Sequence, residues 1–189
     1  GEAYDGPLSS YFSEANAMLT MQHLSEGIGY RVVGTQKHVD AEVWLEDVLR
    51  RYEGTHATGG SEYATHVEVF RQQSDGRHRF EILGHPVWKR YYGMSNLIVR
   101  VSDGSEESKA HTLLVNAHID STIPSPGAVD DAAGVAIMLE ALRALTVRGA
   151  PRMKHGLVLL FNNGEESLQD ASHLYLSLIH ISEPTRQEA

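Results

Sequence analysis

The sequence predicts an α/β domain, a three-layer αβα arrangement around a mixed, largely parallel sheet, and three observations lead there. The run Leu157-Val158-Leu159-Leu160-Phe161 is apolar without interruption, the pattern of a strand buried on both faces. Val135, Met138, Leu139, Leu142 and Leu145 recur at helical spacing just upstream, over a helix expected from about Asp131 to Thr146 and ended by Gly149 and Pro151. Before that helix, Thr112 to Ala117 reads as a further strand. Strand, helix and strand in this order form a crossover unit, which places its two strands side by side and parallel.

Taken in order, the first element is a helix from about Ser10 to Glu26, capped by Ser9 or Ser10, with Phe12, Ala15, Met18 and Leu19 as its apolar face. A glycine-punctuated connection, Gly27 to Gly34, leads to a second helix. Ala41, Trp44, Leu45, Val48, Leu49 and Tyr52 form its buried face, and Gly54 is its expected C-cap. From Thr65 to Gly84 the pattern alternates, which suggests a hairpin of His66–Phe70 and Arg79–Leu83 around a polar Gln72–Arg77 turn. Asn96–Val101 and Thr112–Ala117 are two further strands, separated by a charged turn from Asp103 to Lys109.

Composition narrows the function classes. At 189 residues the chain suits one domain with a sizeable core. Its formal net charge of -9, from 25 acidic and 16 basic residues, argues against a nucleic-acid partner and is compatible with divalent cations. Without cysteine there are neither disulfides nor thiolate metal sites, so any metal must sit on His, Asp and Glu. No apolar stretch approaches the ~20 residues that cross a bilayer.

Three clusters stand at the ends of the apolar runs, where an α/β sheet presents side chains to a crevice. In His118-Ile119-Asp120, the i, i+2 spacing puts both polar groups on one face, where the carboxylate can orient the imidazole. The same spacing also suits a plain hydrogen-bonded pair. In Pro126-Gly127-Ala128-Val129-Asp130-Asp131-Ala132-Ala133-Gly134 an acidic pair lies among small residues just before a helix, where it would equally serve as N-cap. Glu165-Glu166 follows the apolar run through Asn162-Asn163-Gly164. Adjacent glutamates are commonly a solvated pair, but at this edge one could ligate a metal while its neighbour accepts a proton.

Together, LLVNAHIDST, SPGAVDDAAGVAIMLEALRAL and GLVLLFNNGEESLQDASHLY resemble the di-zinc aminopeptidase family, most closely its endoplasmic reticulum metallopeptidase 1 and fungal vacuolar membrane protease branch. The resemblance implies a zinc-peptidase-like fold, two Zn2+ per complete domain, and a peptide or protein substrate. It implies that His118 ligates one zinc, Asp130 bridges both and Glu166 ligates the other. Asp120 would orient His118, Glu165 would be the general base for a metal-bridging water, and the Asp130-Asp131 peptide would be cis. It further implies a parent anchored outside these residues in the endoplasmic reticulum or vacuolar membrane, with this domain facing the lumen.

The family takes one more aspartate and one more histidine from segments beyond the Glu-Glu motif. Leu176 to Arg186 reads LSLIHISEPTR, which resembles a translated sequencing adapter. On that reading residues 1–175 are the amino-terminal part of a single metallopeptidase domain, residues 176–189 are a non-native tail, and the fragment lacks the downstream ligands and is inactive. Two other classes remain open: a non-catalytic receptor or interaction domain of the same fold, and another enzyme on it, such as a carboxypeptidase or a cyclising aminoacyltransferase.

Overall fold

A computed structural model describes residues 11–57, 63–148 and 152–166. The first helix, α1, runs Glu14–Gln22, and a wide π-helical turn, His23–Ile28, continues it. Ser13 is the cap, its side chain accepting from the Asn16 N–H at 3.3 Å; Ser9 and Ser10 lie outside the described residues. The expected apolar face is the exposed one, with Leu19 65% accessible, while Ala17, Met21 and Leu24 turn inward. Both stripes have helical spacing. A contact far away in sequence decides between them, because the Ser13 N–H donates to the buried Glu140 carboxylate at 2.7 Å and so fixes the rotation of the helix.

Helix α2, Gln36–Arg50, carries the predicted buried face, with Ala41, Leu45 and Leu49 fully enclosed and Trp44, Val48 and Tyr52 packed at its flanks. Gly54 does not cap it. The helix stops at Arg50, and Gly54, at φ +128°, opens the short strand β1, Gly54–His56.

The predicted Thr65–Gly84 hairpin is instead one strand, β2, Thr65–Ile82, paired antiparallel along its length with β3, His85–Ser102. The reversal falls at Leu83-Gly84, where φ values of +51° and +77° suit a two-residue hairpin turn. The polar Gln72–Arg77 stretch remains extended, with a bulge between Ser74 and Gly76. Polar residues fit there because this part of the hairpin runs beyond the sheet.

Within the predicted Asp103–Lys109 turn lies a short helix, α3, Glu106–Ala110, capped by Ser105. The crossover is as expected. Strand β4, Thr112–His118, helix α4, Ala133–Arg148, and strand β5, Gly156–Asn162, follow in turn, and β4 pairs parallel with β5. Gly149 and Pro151 lie outside the described residues.

The sheet order is β1-β2-β3-β5-β4. The sheet is mixed, as predicted, but among the described strands only β4 and β5 pair parallel, because the hairpin and the antiparallel entry of β5 beside β3 supply the other pairings. Register puts Val67, Val69, Leu97, Val99, Leu159 and Phe161 on one face, in one cluster with the buried sides of α2 and α4. The described helices thus form one covering layer of the three-layer arrangement. On the far side Phe70, Ile98 and Leu160 stand in one row, and β4 exposes Leu114.

Leu45→Ala should lower unfolding free energy by ~2–5 kcal/mol in urea denaturation. Leu19→Ala, an equal truncation on the exposed stripe, should change it by no more than ~0.5 kcal/mol.

Candidate metal centre

Parallel pairing of β4 with β5 aligns His118 with Asn162, so both strands end at one edge. The register carries on for one more bond, from the Ile119 N–H to the Asn162 carbonyl at 2.8 Å. Asp120 follows, fully buried. Its Oδ1 accepts the N–H groups of Gly164 and Glu165 at 3.0 and 3.3 Å, and its Oδ2 accepts that of Glu166 at 2.9 Å. One carboxylate therefore shapes the loop that presents Glu165 and Glu166.

Asp120 also holds His118, though less directly than an i, i+2 pair in a strand would. The His118 Nδ1–H donates to the Asp120 backbone carbonyl at 3.0 Å, and the nearer carboxylate oxygen stands 3.7 Å from Nδ1. Nε2 is thereby turned toward Asp130 Oδ1, 2.9 Å away. Burial alone would lower the imidazole pKa, but hydrogen bonding and charge from Asp120, with the Asp130 hydrogen bond, outweigh it and raise the value to about 9.

Asp130 and Asp131 lie in a wide turn, Ala128–Ala132, ahead of α4, and the peptide between them is cis. They divide the two roles left open by the sequence. Asp131 takes the structural one, accepting the Gly134 N–H and the His118 N–H, each at 3.1 Å. Asp130 projects outward with its side chain 77% exposed. Gly127, at φ +59°, and Gly134 are required here, since a Cβ on the first would strike the Asp130 carbonyl and on the second the Asp131 carboxylate.

His118, Asp130 and Glu166 each bring one ligand atom to a common point, all within 4.8 Å of one another. Burial, then the charges of Asp130 and Glu165, raise the Glu166 pKa. One imidazole nitrogen and two carboxylates, with the imidazole fixed from behind, make a donor set that fits zinc. A cation there would replace the proton that His118 shares with Asp130 and relieve the repulsion among the acids.

The sequence model of peptidase family M28 matches residues 96–188, the span that contains all of these groups. Over that span the chain matches peptidase family M28. It is 42% identical to the endoplasmic reticulum metallopeptidase 1 of Schizosaccharomyces pombe over 93% of its own length and 21% of that protein's. Against a vacuolar membrane protease of Paracoccidioides brasiliensis identity is 32%, over 82% of this chain and 16% of that one. The chain thus spans about a fifth of the length of the curated relatives it matches. Among solved structures, a zinc aminopeptidase from Bacillus subtilis aligns with a TM-score of 0.62 at 17% identity, over 93% of this chain and 67% of that one. A Porphyromonas gingivalis glutaminyl cyclase aligns equally well, with a TM-score of 0.62 at 22% identity over 95% and 57%. These likenesses show a shared fold.

Three supporting residues escaped the sequence reading. Arg31 is fully buried, donating from Nε to the Ile119 carbonyl at 2.8 Å and from Nη1 to those of Leu24, Gly29 and Pro126 at 2.9, 3.0 and 2.7 Å. Its Nη2 reaches the Gly127 carbonyl at 3.1 Å, and its main chain exchanges bonds with Ser121. His38 Nε2 bonds Asn163 Oδ1 at 2.8 Å, and Asn163 Nδ2 donates to the Ser95 carbonyl at 2.6 Å. For Arg31 the signal was there, a single cation within an otherwise Gly- and Val-rich connection. His38 and Asn163 gave none.

Asp120→Asn should weaken zinc binding about 10- to 100-fold in competition with a chromogenic chelator, because an amide cannot accept all three loop N–H groups. Arg31→Met should destabilise the fold by about 3 kcal/mol or more in urea, because five carbonyls lose a donor, although those of Leu24 and Gly127 keep a backbone N–H.

Proposed function

We propose that this chain is part of a zinc-dependent peptidase of aminopeptidase type, acting on peptides or proteins. The observation that carries the reading is the convergence of His118, Asp130 and Glu166 on one point at the sheet edge, with Glu165 beside them. His118 and Glu166 would each hold one of two zinc ions and Asp130 would bridge them. An additional aspartate and histidine would come from outside the described residues. Bound zinc supplies positive charge that polarises the scissile carbonyl and eases ionisation of water.

The protein's own groups do the rest. Glu165, partly buried and next to Glu166 in the loop after β5, takes a proton from the attacking water and returns it to the departing amine. Asp120 keeps Nδ1 of His118 engaged, so that Nε2 alone faces the site. The two roles are separable, because Asp120 is enclosed and Glu165 is not. The match to M28 and the names of the relatives support the reaction class. Those names also support a parent at the endoplasmic reticulum or vacuolar membrane, and a lumenal orientation of this domain is proposed from the resemblance alone; among the described residues no helix is long and apolar enough to cross a membrane.

In the full-length protein, Glu165→Gln should lower kcat by about 10²- to 10⁴-fold while zinc content, measured by elemental analysis, stays at the wild-type level. Loss of zinc together with activity would assign Glu165 to ligation instead. Removing metal with a chelator should abolish hydrolysis of an aminoacyl peptide, and added zinc should restore it; activity that persists without metal would overturn the reading.

A further inference from the structure

The β2–β3 hairpin outruns the sheet. Residues Gly76–Ile82 pair only with His85–Tyr91, and among the described residues no third strand joins them. Seven residues of strand project the hairpin by roughly 20 Å. Register tells where it points. Strand β3 runs antiparallel to β5, with Leu97 opposite Phe161, so the arm leaves the sheet at the end where β5 delivers Glu165 and Glu166 and β4 delivers His118. At its base Ser95 and Asn96 bond Asn163, two residues before Glu165.

The arm's chemistry is opposite to that of the chain. In a molecule of net charge -9, Arg77 and Arg90 stand directly across from each other, and Arg79 opposes Trp88. Strand alternation puts all four on one face. Like charges placed opposite in a ladder weaken a hairpin. Lower down, Arg71 and Arg100 are paired with glutamates, whereas among the described residues no ion pair engages Arg77, Arg79 or Arg90. Trp88 is 58% exposed, with the Arg77 guanidinium 5.2 Å over its ring. Such a basic and aromatic face is poor for the fold and suited to an anionic ligand. The other face bears Lys89, whose pKa burial lowers while the charge of Asp120 acts to raise it, so the arm lies within electrostatic reach of the site.

We propose that this arm binds the substrate chain beyond the scissile bond and selects peptides carrying acidic residues there, through Arg77, Arg79 and Arg90 with Trp88 as a stacking platform. The inference rests on the proposed aminopeptidase reading, in which all of the substrate after its first residue must lie outside the metal centre. A 20 Å arm matches about six extended residues.

The test uses zinc-loaded full-length protein and two peptides identical except for Glu or Gln at positions four to eight. The wild type should favour the Glu peptide by roughly tenfold in kcat/KM at low salt, and the preference should fade at high salt. In R77Q/R79Q/R90Q the Glu-to-Gln ratio should fall toward one, while R77K/R79K/R90K, which keeps the charge, should retain most of it. Anisotropy of the labelled Glu and Gln peptides on metal-free protein reads the same preference without turnover, so absence of hydrolysis would sink the peptidase reading and leave the arm still judged by binding. Equal ratios in the wild type, or a preference that survives the glutamine variant, would overturn the proposal. So would arm-dependent binding of anionic vesicles or an oligonucleotide with no discrimination between the two peptides.

Discussion

A single enclosed carboxylate, that of Asp120, ties the end of β4 to the loop after β5, and the arrangement of the site depends on it. Burying a carboxylate costs several kcal/mol unless it is fully engaged. Here three loop N–H groups and the His118 ring engage it, and its pKa stays low, since these partners outweigh a burial that acts the other way. Because the partners come from two strands, the same bonds that stabilise the anion also set the distance between histidine and glutamates. Site geometry and local stability are therefore one property here.

Arg31 performs the complementary task on the remaining side. It is a buried cation satisfied by carbonyls rather than by a carboxylate, and those carbonyls belong to Leu24 and Gly29 on one hand and to Ile119, Pro126 and Gly127 on the other. It thus fastens the amino-terminal helices to the two loops that carry the ligands. Burial lowers the guanidinium pKa, and the charge of Asp120 partly offsets this, so anion and cation steady one another across the site. Outside this pair the acids accumulate. Asp131 and Glu166 both have raised pKa values, from burial first; at Glu166 the charges of Asp130 and Glu165 add to it, whereas at Asp131 the His118 and Gly134 N–H groups and the His118 charge act the other way. A cation at the point where His118, Asp130 and Glu166 converge would relieve the repulsion among these acids.

What was legible in the sequence follows the range of the forces involved. The β4-α4-β5 crossover could be read because apolar runs and a helical stripe are local signals, and the buried face of α2 for the same reason. The acidic clusters were visible as ends of apolar runs, a consequence of parallel topology. The rotation of α1 was not legible, because two stripes fit its period and a bond to Glu140, far along the chain, chooses between them. Nor was the continuity of β2, whose polar middle resembles a turn until β3 is present to pair with it. His38 and Asn163 matter through partners far away in sequence, each other and Ser95 among them, and a linear sequence does not show such pairs.

That last pair belongs to a chain of bonds joining the metal centre to the hairpin arm. Asn163 is held by His38 and by Ser95; Ser95 bonds Glu42, and Glu42 with Glu46 takes Arg71 at the point where β2 leaves the sheet. Above it the Gly93 N–H donates to Asp75 Oδ1 at 2.6 Å, bracing the bulge. A two-stranded ribbon is marginal by itself in water, and this one is anchored where it departs. The anchoring groups lie on α2, β2, β3 and the loop after β5, the same elements that set Glu165 and Glu166. An acidic crevice attracts a divalent cation and repels an acidic peptide, and a basic arm on a shared, rigid base would restore attraction for the peptide without placing a competing cation among the ligands.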